Sequence, residues 1–132
     1  MQNGPRKIIK TDLAPAPEAA SSQAVVSGGI IYMSAQVGKS PNGTLPSDFD
    51  MQMKNTMYNA RAILESAGSD MNNVLRISIH LSDAFYWKRA EELYQFFFPT
   101  QDPPAREMFA VSSLPLGALV QVTITASVKI SF

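Results

Sequence analysis

The carboxy-terminal end of the chain alternates without a break between apolar and polar residues. Every second position from residue 120 is apolar, namely Val120, Val122, Ile124, Ala126, Val128, Ile130 and Phe132. The intervening residues are Gln121, Thr123, Thr125, Ser127, Lys129 and Ser131, none of which is a large hydrophobe. Successive side chains of a strand point to opposite faces of a sheet, so this pattern predicts one long strand with a buried face and a polar face.

Two other segments have the period of a helix. Apolar residues recur at spacings of three and four at Phe49, Met53, Met57, Ala60, Leu64 and Ala67. This spacing predicts a helix over residues 47–67, with Ser47 or Asp48 as its amino-terminal cap and Gly68 as its terminator. A second single apolar face predicts a helix over residues 84–97.

Shorter strands precede and separate these helices. They are predicted at residues 7–10, on both sides of a tight turn at Gly28-Gly29, at residues 75–81 and at residues 108–111. In the strand at 75–81 the residues assigned to the buried face are Leu75, Ile77, Ile79 and Leu81. The resulting order β-β-β-α-β-α-β-β predicts an α+β fold, with one mixed sheet and both helices on one face of it.

The chain is short of charged residues. They make up 17% of the sequence, whereas about a quarter is typical of soluble domains. The polar face of the sheet is therefore predicted to meet the same face of other subunits. Eleven basic residues balance eleven acidic ones and no basic run stands out, so a nucleic-acid partner is not expected. All 132 residues are assigned to one domain, with residues 1–6 as a flexible amino terminus.

Several classes of site and location are excluded by residue type. The chain has no cysteine and a single histidine, His80, so thiolate and multi-histidine metal sites and a cysteine nucleophile are excluded. No metal is expected. No apolar stretch approaches about 20 residues and the amino terminus lacks a hydrophobic signal core. These features predict a cytoplasmic protein without a membrane partner.

Arg106 is the residue best placed to meet a small molecule. It follows Pro103 and Pro104, which cannot lie inside a central strand because proline lacks an N–H donor and fixes φ. Arg106 is therefore expected at the start of a strand, where its guanidinium could hold a carboxylate with two parallel hydrogen bonds. The alternative interpretation is a surface ion pair.

A set of short motifs resembles one known family. The motifs are Ile9-Lys10-Thr11, Ser22-Gln23-Ala24-Val25, Tyr32-Met33-Ser34-Ala35-Gln36, Gln52, Asn59, Pro104-Ala105-Arg106 and Leu114-Pro115. In order and spacing they resemble the reactive intermediate deaminase family, also called Rid or YjgF-type and, in older usage, endoribonuclease L-PSP. The resemblance covers residues 8–128.

The resemblance implies both an architecture and an activity. The family fold is chorismate-mutase-like, and three subunits form a trimeric barrel with clefts between them. The best-known activity is hydrolysis of reactive enamines and imines to 2-keto acids and ammonia, with no cofactor. By resemblance, Arg106 holds the substrate carboxylate, backbone groups around Met108 position the substrate nitrogen and water, and Ser34 lines the cleft.

Four positions depart from the family pattern. Gln121 stands where members that hydrolyse 2-imino acids usually have a glutamate, and an amide orients water but cannot accept its proton. Ser21 replaces a cleft tyrosine, and Glu91 aligns with an asparagine. Glu107 directly follows Arg106 and is expected on the opposite face of a regular strand.

Three functions are compatible with these residues. The first is an enamine or imine deaminase in which Arg106 anchors the substrate and Gln121 orients water. The second is a non-catalytic trimer that binds a small carboxylate as a regulator. The third, cleavage of single-stranded RNA, is known for some family members and is disfavoured by the balanced charge of this chain.

Overall fold

The computed structural model describes residues 5–98 and 101–129. Its strands are β1 Lys7–Ile9, β2 Ala24–Ser27, β3 Ile30–Met33, β4 Gln36–Val37, β5 Val74–Leu81, β6 Ala105–Ala110 and β7 Val120–Ser127. Its helices are α1 Phe49–Ser66 and α2 Trp87–Tyr94, with 3₁₀ turns at Met71–Asn73, Ala84–Tyr86 and Pro115–Gly117. Ile130 and Phe132 of the predicted last strand, and residues 1–4 of the predicted flexible terminus, lie outside the described residues.

The strands form one mixed sheet in the order β1-β2-β3-β7-β5-β6, and β4 also pairs with β7. β5 and β6 run parallel, whereas the other pairs are antiparallel. A parallel pair needs a long crossover, and α2 lies in it. α1 packs on β7, β4 and β3, with α2 beside it. The predicted α+β fold, with both helices on one face of the sheet, is confirmed.

The core lies between the helices and alternate residues of the strands. On β7 the buried residues are Val120, Val122, Ile124 and Ala126. Between them, Gln121, Thr123 and Thr125 are half-buried on the opposite face. The alternation read from the sequence thus separates the core from a polar sheet face.

Local signals account for α1 and for the first hairpin. The Asp48 side chain accepts a hydrogen bond from the backbone N–H of Met51 at 3.0 Å, and Gly68 follows the helix with φ of 81°. Gly28 and Gly29 connect β2 to β3 with φ of 59° and 79°, as a two-residue hairpin turn requires. Both predictions are confirmed.

The predicted second helix is too long. α2 begins only at Trp87, after a 3₁₀ turn, and ends at Tyr94. Beyond it, the N–H groups of Phe96 and Phe97 bond to carbonyls three residues back, which tightens the chain out of α-helical geometry.

The placement of Leu75 on the buried face is also wrong. A register irregularity between Val74 and Arg76 offsets the start of β5. As a result Val74 is buried and Leu75 is 47% exposed. A bulge inserts one residue and reverses the side-chain alternation at that point, which the apolar character of both residues conceals.

Neither α1 nor another helix in the described part of the chain has the length and apolar character needed to span a bilayer.

Met53 and Met51 of α1 provide a matched test of this packing. Met53 is fully buried and Met51 is 47% exposed. We expect Met53→Ala to lower the free energy of unfolding by about 2–5 kcal/mol, because it leaves a cavity. Met51→Ala should change it by less than about 0.5 kcal/mol. Urea unfolding at one fixed protein concentration measures both values, and equal effects would contradict this position of α1.

Candidate functional site

A cleft of about 410 Å³ opens beside the first residues of β7. Its walls are the loop before β2, the segment from the end of β3 through β4, and the turn that precedes β7. The residues that line it include Pro15, Pro17, Glu18, Ser21, Ser34, Lys39, Leu116 and Gln121. Apolar atoms make up most of the exposed wall, although half of the lining residues, among them Glu18, Lys39 and Gln121, have polar side chains. This composition is typical of small-molecule sites.

Gln23 holds the first wall of the cleft in place. It is 2% exposed, and its side-chain oxygen accepts a hydrogen bond from the N–H of Thr11 at 2.7 Å. Its amide nitrogen donates to the carbonyls of Thr11 and Pro15 at 3.0 and 2.9 Å. A buried amide with all its partners satisfied fixes an otherwise irregular loop, so the loop can present a defined surface to a ligand.

The turn that precedes β7 has an unusual backbone. Leu116 lies between Pro115 and Gly117 and has φ of 62°. A leucine rarely adopts this left-handed conformation, because its Cβ crowds the backbone there. Leu116 is also 60% exposed, so the strained residue places an apolar side chain at the edge of the cleft. Backbone strain of this kind is found preferentially at ligand sites.

The cleft brings together three of the predicted site residues, Ser21, Ser34 and Gln121. The Ser34 hydroxyl donates to the carbonyl of Ser22 at 2.6 Å, and the Ser21 hydroxyl donates to the carbonyl of Glu18 at 2.5 Å. Both hydroxyl protons are therefore engaged, and the oxygen lone pairs remain as acceptors for a ligand.

Gln121 extends from the polar face of β7. Its amide nitrogen lies 3.4 Å from Nδ1 of His80, the residue opposite it on β5. The ring of His80 in turn lies 4.7 Å from that of Phe109 on β6. Because the amide nitrogen faces the imidazole, the carboxamide oxygen is the atom that Gln121 can direct elsewhere. An amide oxygen can accept a hydrogen bond from water.

Arg106 and Glu91 are not among the residues that line the cleft, and they contact each other elsewhere. Nη1 and Nη2 of Arg106 donate to the two oxygens of Glu91, both at 2.9 Å. The guanidinium carbon lies 4.8 Å from the centre of the Tyr94 ring. These hydrogen bonds raise the pKa of Arg106 above its ordinary value, against the opposing effect of burial. Arg106 thus forms the ion pair that the sequence offered as its alternative interpretation, and the pair has the bidentate geometry suited to a carboxylate.

Tyr94 shares the environment of this pair. Burial raises the pKa of the Tyr94 hydroxyl above its ordinary value, although the positive charge of Arg106 opposes the shift. The tyrosine is therefore a neutral platform for the guanidinium. Glu91 on one side and the ring on the other fix the arginine at the edge of the sheet.

One chain does not bring Arg106 and Gln121 together. Arg106 is in register with Ile77 and shares its helix-side face of the sheet. Gln121 is in register with His80 on the opposite, polar face. Residues that are opposite in register share a face, so the sheet itself lies between the two predicted catalytic groups.

Met108 offers its backbone rather than its side chain. It is 9% exposed and lies opposite Ile79. β6 is the last strand in the sheet order, and the outward backbone groups of an edge strand are open to a partner or ligand. This position fits the role that the resemblance assigns to the backbone near Met108.

Glu107 lies on the polar face of the sheet, opposite to Arg106 as predicted. It accepts a hydrogen bond from the Ser78 hydroxyl at 2.8 Å and forms an ion pair with Arg76. The hydrogen bond from Ser78 lowers the pKa of Glu107 below its usual range, and the charge of Arg76 adds to the effect. The carboxylate is thus ionised and already bound within its own chain.

Lys39, Pro115 and Leu116 line the cleft but were not predicted from the sequence. The Leu114-Pro115 motif pointed to the family and not to the cleft, and Lys39 reaches the cleft through the pairing of β4 with β7. The two-residue β4 is too short to show any periodicity.

Residues 11–128 match the family model described as Endoribonuclease L-PSP. A RutC family protein from Aquifex aeolicus is 37% identical over 120 residues, which cover 89% of this chain and 96% of that protein. The 2-iminobutanoate/2-iminopropanoate deaminase of Rattus norvegicus is 34% identical, with 89% of this chain and 86% of that protein covered. The E. coli TdcF structure with bound serine superposes with a TM-score of 0.87 at 25% identity, covering 93% of this chain and 99% of that chain. The chain therefore belongs to the Rid/YjgF family, whose family model is described as Endoribonuclease L-PSP.

Proposed function

We propose that this protein hydrolyses a small imine or enamine bearing a carboxylate, and releases a 2-keto acid and ammonia. The observation that supports this most strongly is the bidentate geometry of Arg106, which already holds one carboxylate with two hydrogen bonds of 2.9 Å. A substrate carboxylate of similar shape would use the same donors. The family membership and the names of the relatives support the reaction class.

The proposed reaction needs only water and protons. An enamine takes a proton on carbon, and an imine takes one on nitrogen, so that either substrate becomes the protonated imine. The water oxygen then bonds to the imine carbon and a water proton passes to solvent. The nitrogen takes up a proton, the C–N bond breaks and ammonia leaves, and loss of the hydroxyl proton gives the keto group. No electron is gained or lost overall, so no oxidant or reductant takes part.

The side chains of the cleft would act mainly by positioning. A protonated imine is already electrophilic, and correct placement of water against it supplies a useful part of the rate. Gln121 would accept a hydrogen bond from that water through its carboxamide oxygen. The lone pairs of Ser21 and Ser34 would accept from the protonated substrate nitrogen or from water.

The site would be completed by a second copy of the chain. Arg106 and Gln121 lie on opposite faces of one sheet, so a substrate that contacts both must lie between two subunits. The polar sheet face and the low charge content support association through that face. We propose a homotrimer, in which the edge strand β6 of one subunit lies against the cleft of the next.

The alternative is a trimer that binds a small carboxylate without turning it over. The specific observation in its favour is the amide at Gln121, which lacks the basicity of a carboxylate. The serine bound to the related TdcF is also a small molecule with a carboxylate. The two functions differ in whether ammonia is released.

Arg106→Ala tests the anchor. We expect kcat/KM to fall by at least about 100-fold, because two charge-assisted hydrogen bonds to the substrate are lost. Imines generated by an amino-acid oxidase supply the substrate, and released keto acid and ammonia are measured. Arg61→Ala is the control, since Arg61 is exposed on α1 above the ring of Tyr58. Native mass should stay unchanged in both variants, and full activity of Arg106→Ala would contradict the proposal.

Glu91→Gln tests competition at the same arginine. In the free protein Glu91 occupies both terminal nitrogens of Arg106, so an incoming carboxylate must displace it or share the guanidinium. Removing the negative charge should lower KM about threefold to tenfold while kcat changes little. Glu92→Gln on the same helix is the control. A raised KM in Glu91→Gln would instead mean that Glu91 helps to bind the substrate.

A further inference from the structure

Lys39 gives the cleft a positive charge that the proposed reaction does not use. Its side chain is 15% exposed and lines the cleft together with Ser34 and Gln121. Among the described residues that form the lining, it is the only one with a basic side chain. Much of the surrounding wall is apolar, and an ammonium group beside such a surface interacts more strongly with an anion than it would in open water.

The fold fixes the backbone of Lys39 from the side of α1. The Asn59 amide donates to the carbonyls of Val37 and Lys39 at 3.2 and 2.7 Å, and the Asn55 amide donates to that of Gly38 at 3.1 Å. Asn59 is itself 4% exposed. Lys39 is therefore held at the cleft by hydrogen bonds that do not involve its own side chain.

Gly38 makes this attachment possible. A Cβ atom at Gly38 would lie 2.4 Å from the backbone oxygen of Gln52, so only glycine permits so close an approach of the segment to α1. The backbone directly before Lys39 consequently has little freedom to move away from the helix. The lysine stem starts from a rigid point, as the side chain of a specific binding site should.

The present partner of Lys39 is easily replaced. Nζ lies 3.0 Å from Oε1 of Glu18, whose side chain is 77% exposed. An ion pair with so exposed a partner contributes little to stability. The contact with Glu18 shows that Lys39 can bind a carboxylate at the rim of the cleft. A carboxylate carried by a ligand would bind the same ammonium group.

We propose that Lys39 forms a second anion subsite, so that the preferred substrate is the imine of a dicarboxylic amino acid. This inference rests on the proposed function, in which Arg106 binds the carboxylate next to the imine carbon. The side-chain carboxylate of the substrate would then replace Glu18 at Lys39. The cleft volume of about 410 Å³ lies within the range of small-ligand sites.

The experiment compares two substrate classes in three proteins. Imines are generated by oxidases from glutamate or aspartate, and from alanine or leucine, and kcat/KM is measured for each. The proteins are the wild type, Lys39→Met, which keeps an apolar stem without the charge, and Lys54→Met. Lys54 lines a separate groove at the surface of α1 and controls for the change in net charge.

We expect the wild type to favour the dicarboxylic imines. Lys39→Met should lower kcat/KM for them by about tenfold or more, as expected for loss of one charged contact, and leave the monocarboxylic imines within about twofold. Lys54→Met should resemble the wild type. An equal loss on both classes, or no loss on either, would overturn the subsite.

Glu18→Gln provides a second variant that leaves Lys39 intact. Without the competing carboxylate, KM for dicarboxylic imines should fall about threefold, with no change for monocarboxylic ones. An unchanged or raised KM would contradict the replacement of Glu18 by the ligand.

A binding measurement separates failure of the subsite from failure of the proposed reaction. If no imine of either class is hydrolysed, the proposed function fails, and calorimetric titration with 2-oxoglutarate and 2-oxobutanoate decides the subsite alone. Tighter binding of 2-oxoglutarate, lost in Lys39→Met and kept in Lys54→Met, would support it. Equal binding of the two keto acids would overturn it.

Discussion

The structure depends on the different requirements of the two faces of β7. This strand pairs with β3, β4 and β5, and α1 packs on the face that bears Val122 and Ile124. Polar side chains on that face would have to be buried without water, whereas the other face can hold small polar groups. The separation places Gln121 at the cleft, and it also puts the sheet between Gln121 and Arg106.

The charged groups of the site are arranged as pairs within the chain. Arg106 binds Glu91, Lys39 binds Glu18, and Glu107 accepts from Ser78 and Arg76. Each cation that could receive a substrate carboxylate therefore already holds one from its own chain. Under the proposed function, binding at Arg106 and Lys39 would exchange one carboxylate for another, and selectivity would follow from the difference between the two.

Much of the fold could be predicted because its signals are local. The cap at Asp48, the turn at Gly28-Gly29 and the alternation along β7 each depend on residues close in sequence. The bulge beside Leu75 could not be predicted, because either neighbouring apolar residue could occupy the core and the register of β7 decides between them. The early end of α2 likewise follows from the backbone hydrogen bonds of Phe96 and Phe97, and no residue type in that segment predicts them.

The candidate site was predictable only in part, for a related reason. Ser21, Ser34 and Gln121 were identified by resemblance, and the cleft contains all three. The pairing of Arg106 with Glu91 and the position of Lys39 join segments distant in sequence. Such contacts follow from how the helices and strands pack, and residue spacing does not encode them.

The attachment of the segment at Gly38 to α1 also bears on which positions of this chain can vary. The bonds that anchor the segment are made by the carbonyls of Val37, Gly38 and Lys39, and every amino acid supplies a carbonyl. The side chain at position 39 therefore takes no part in the bonds that anchor the segment, although it lines the cleft. Under the role proposed for Lys39, a substitution at this position would change the charge that the cleft offers to a ligand and would leave the bonds that attach the segment to α1 intact.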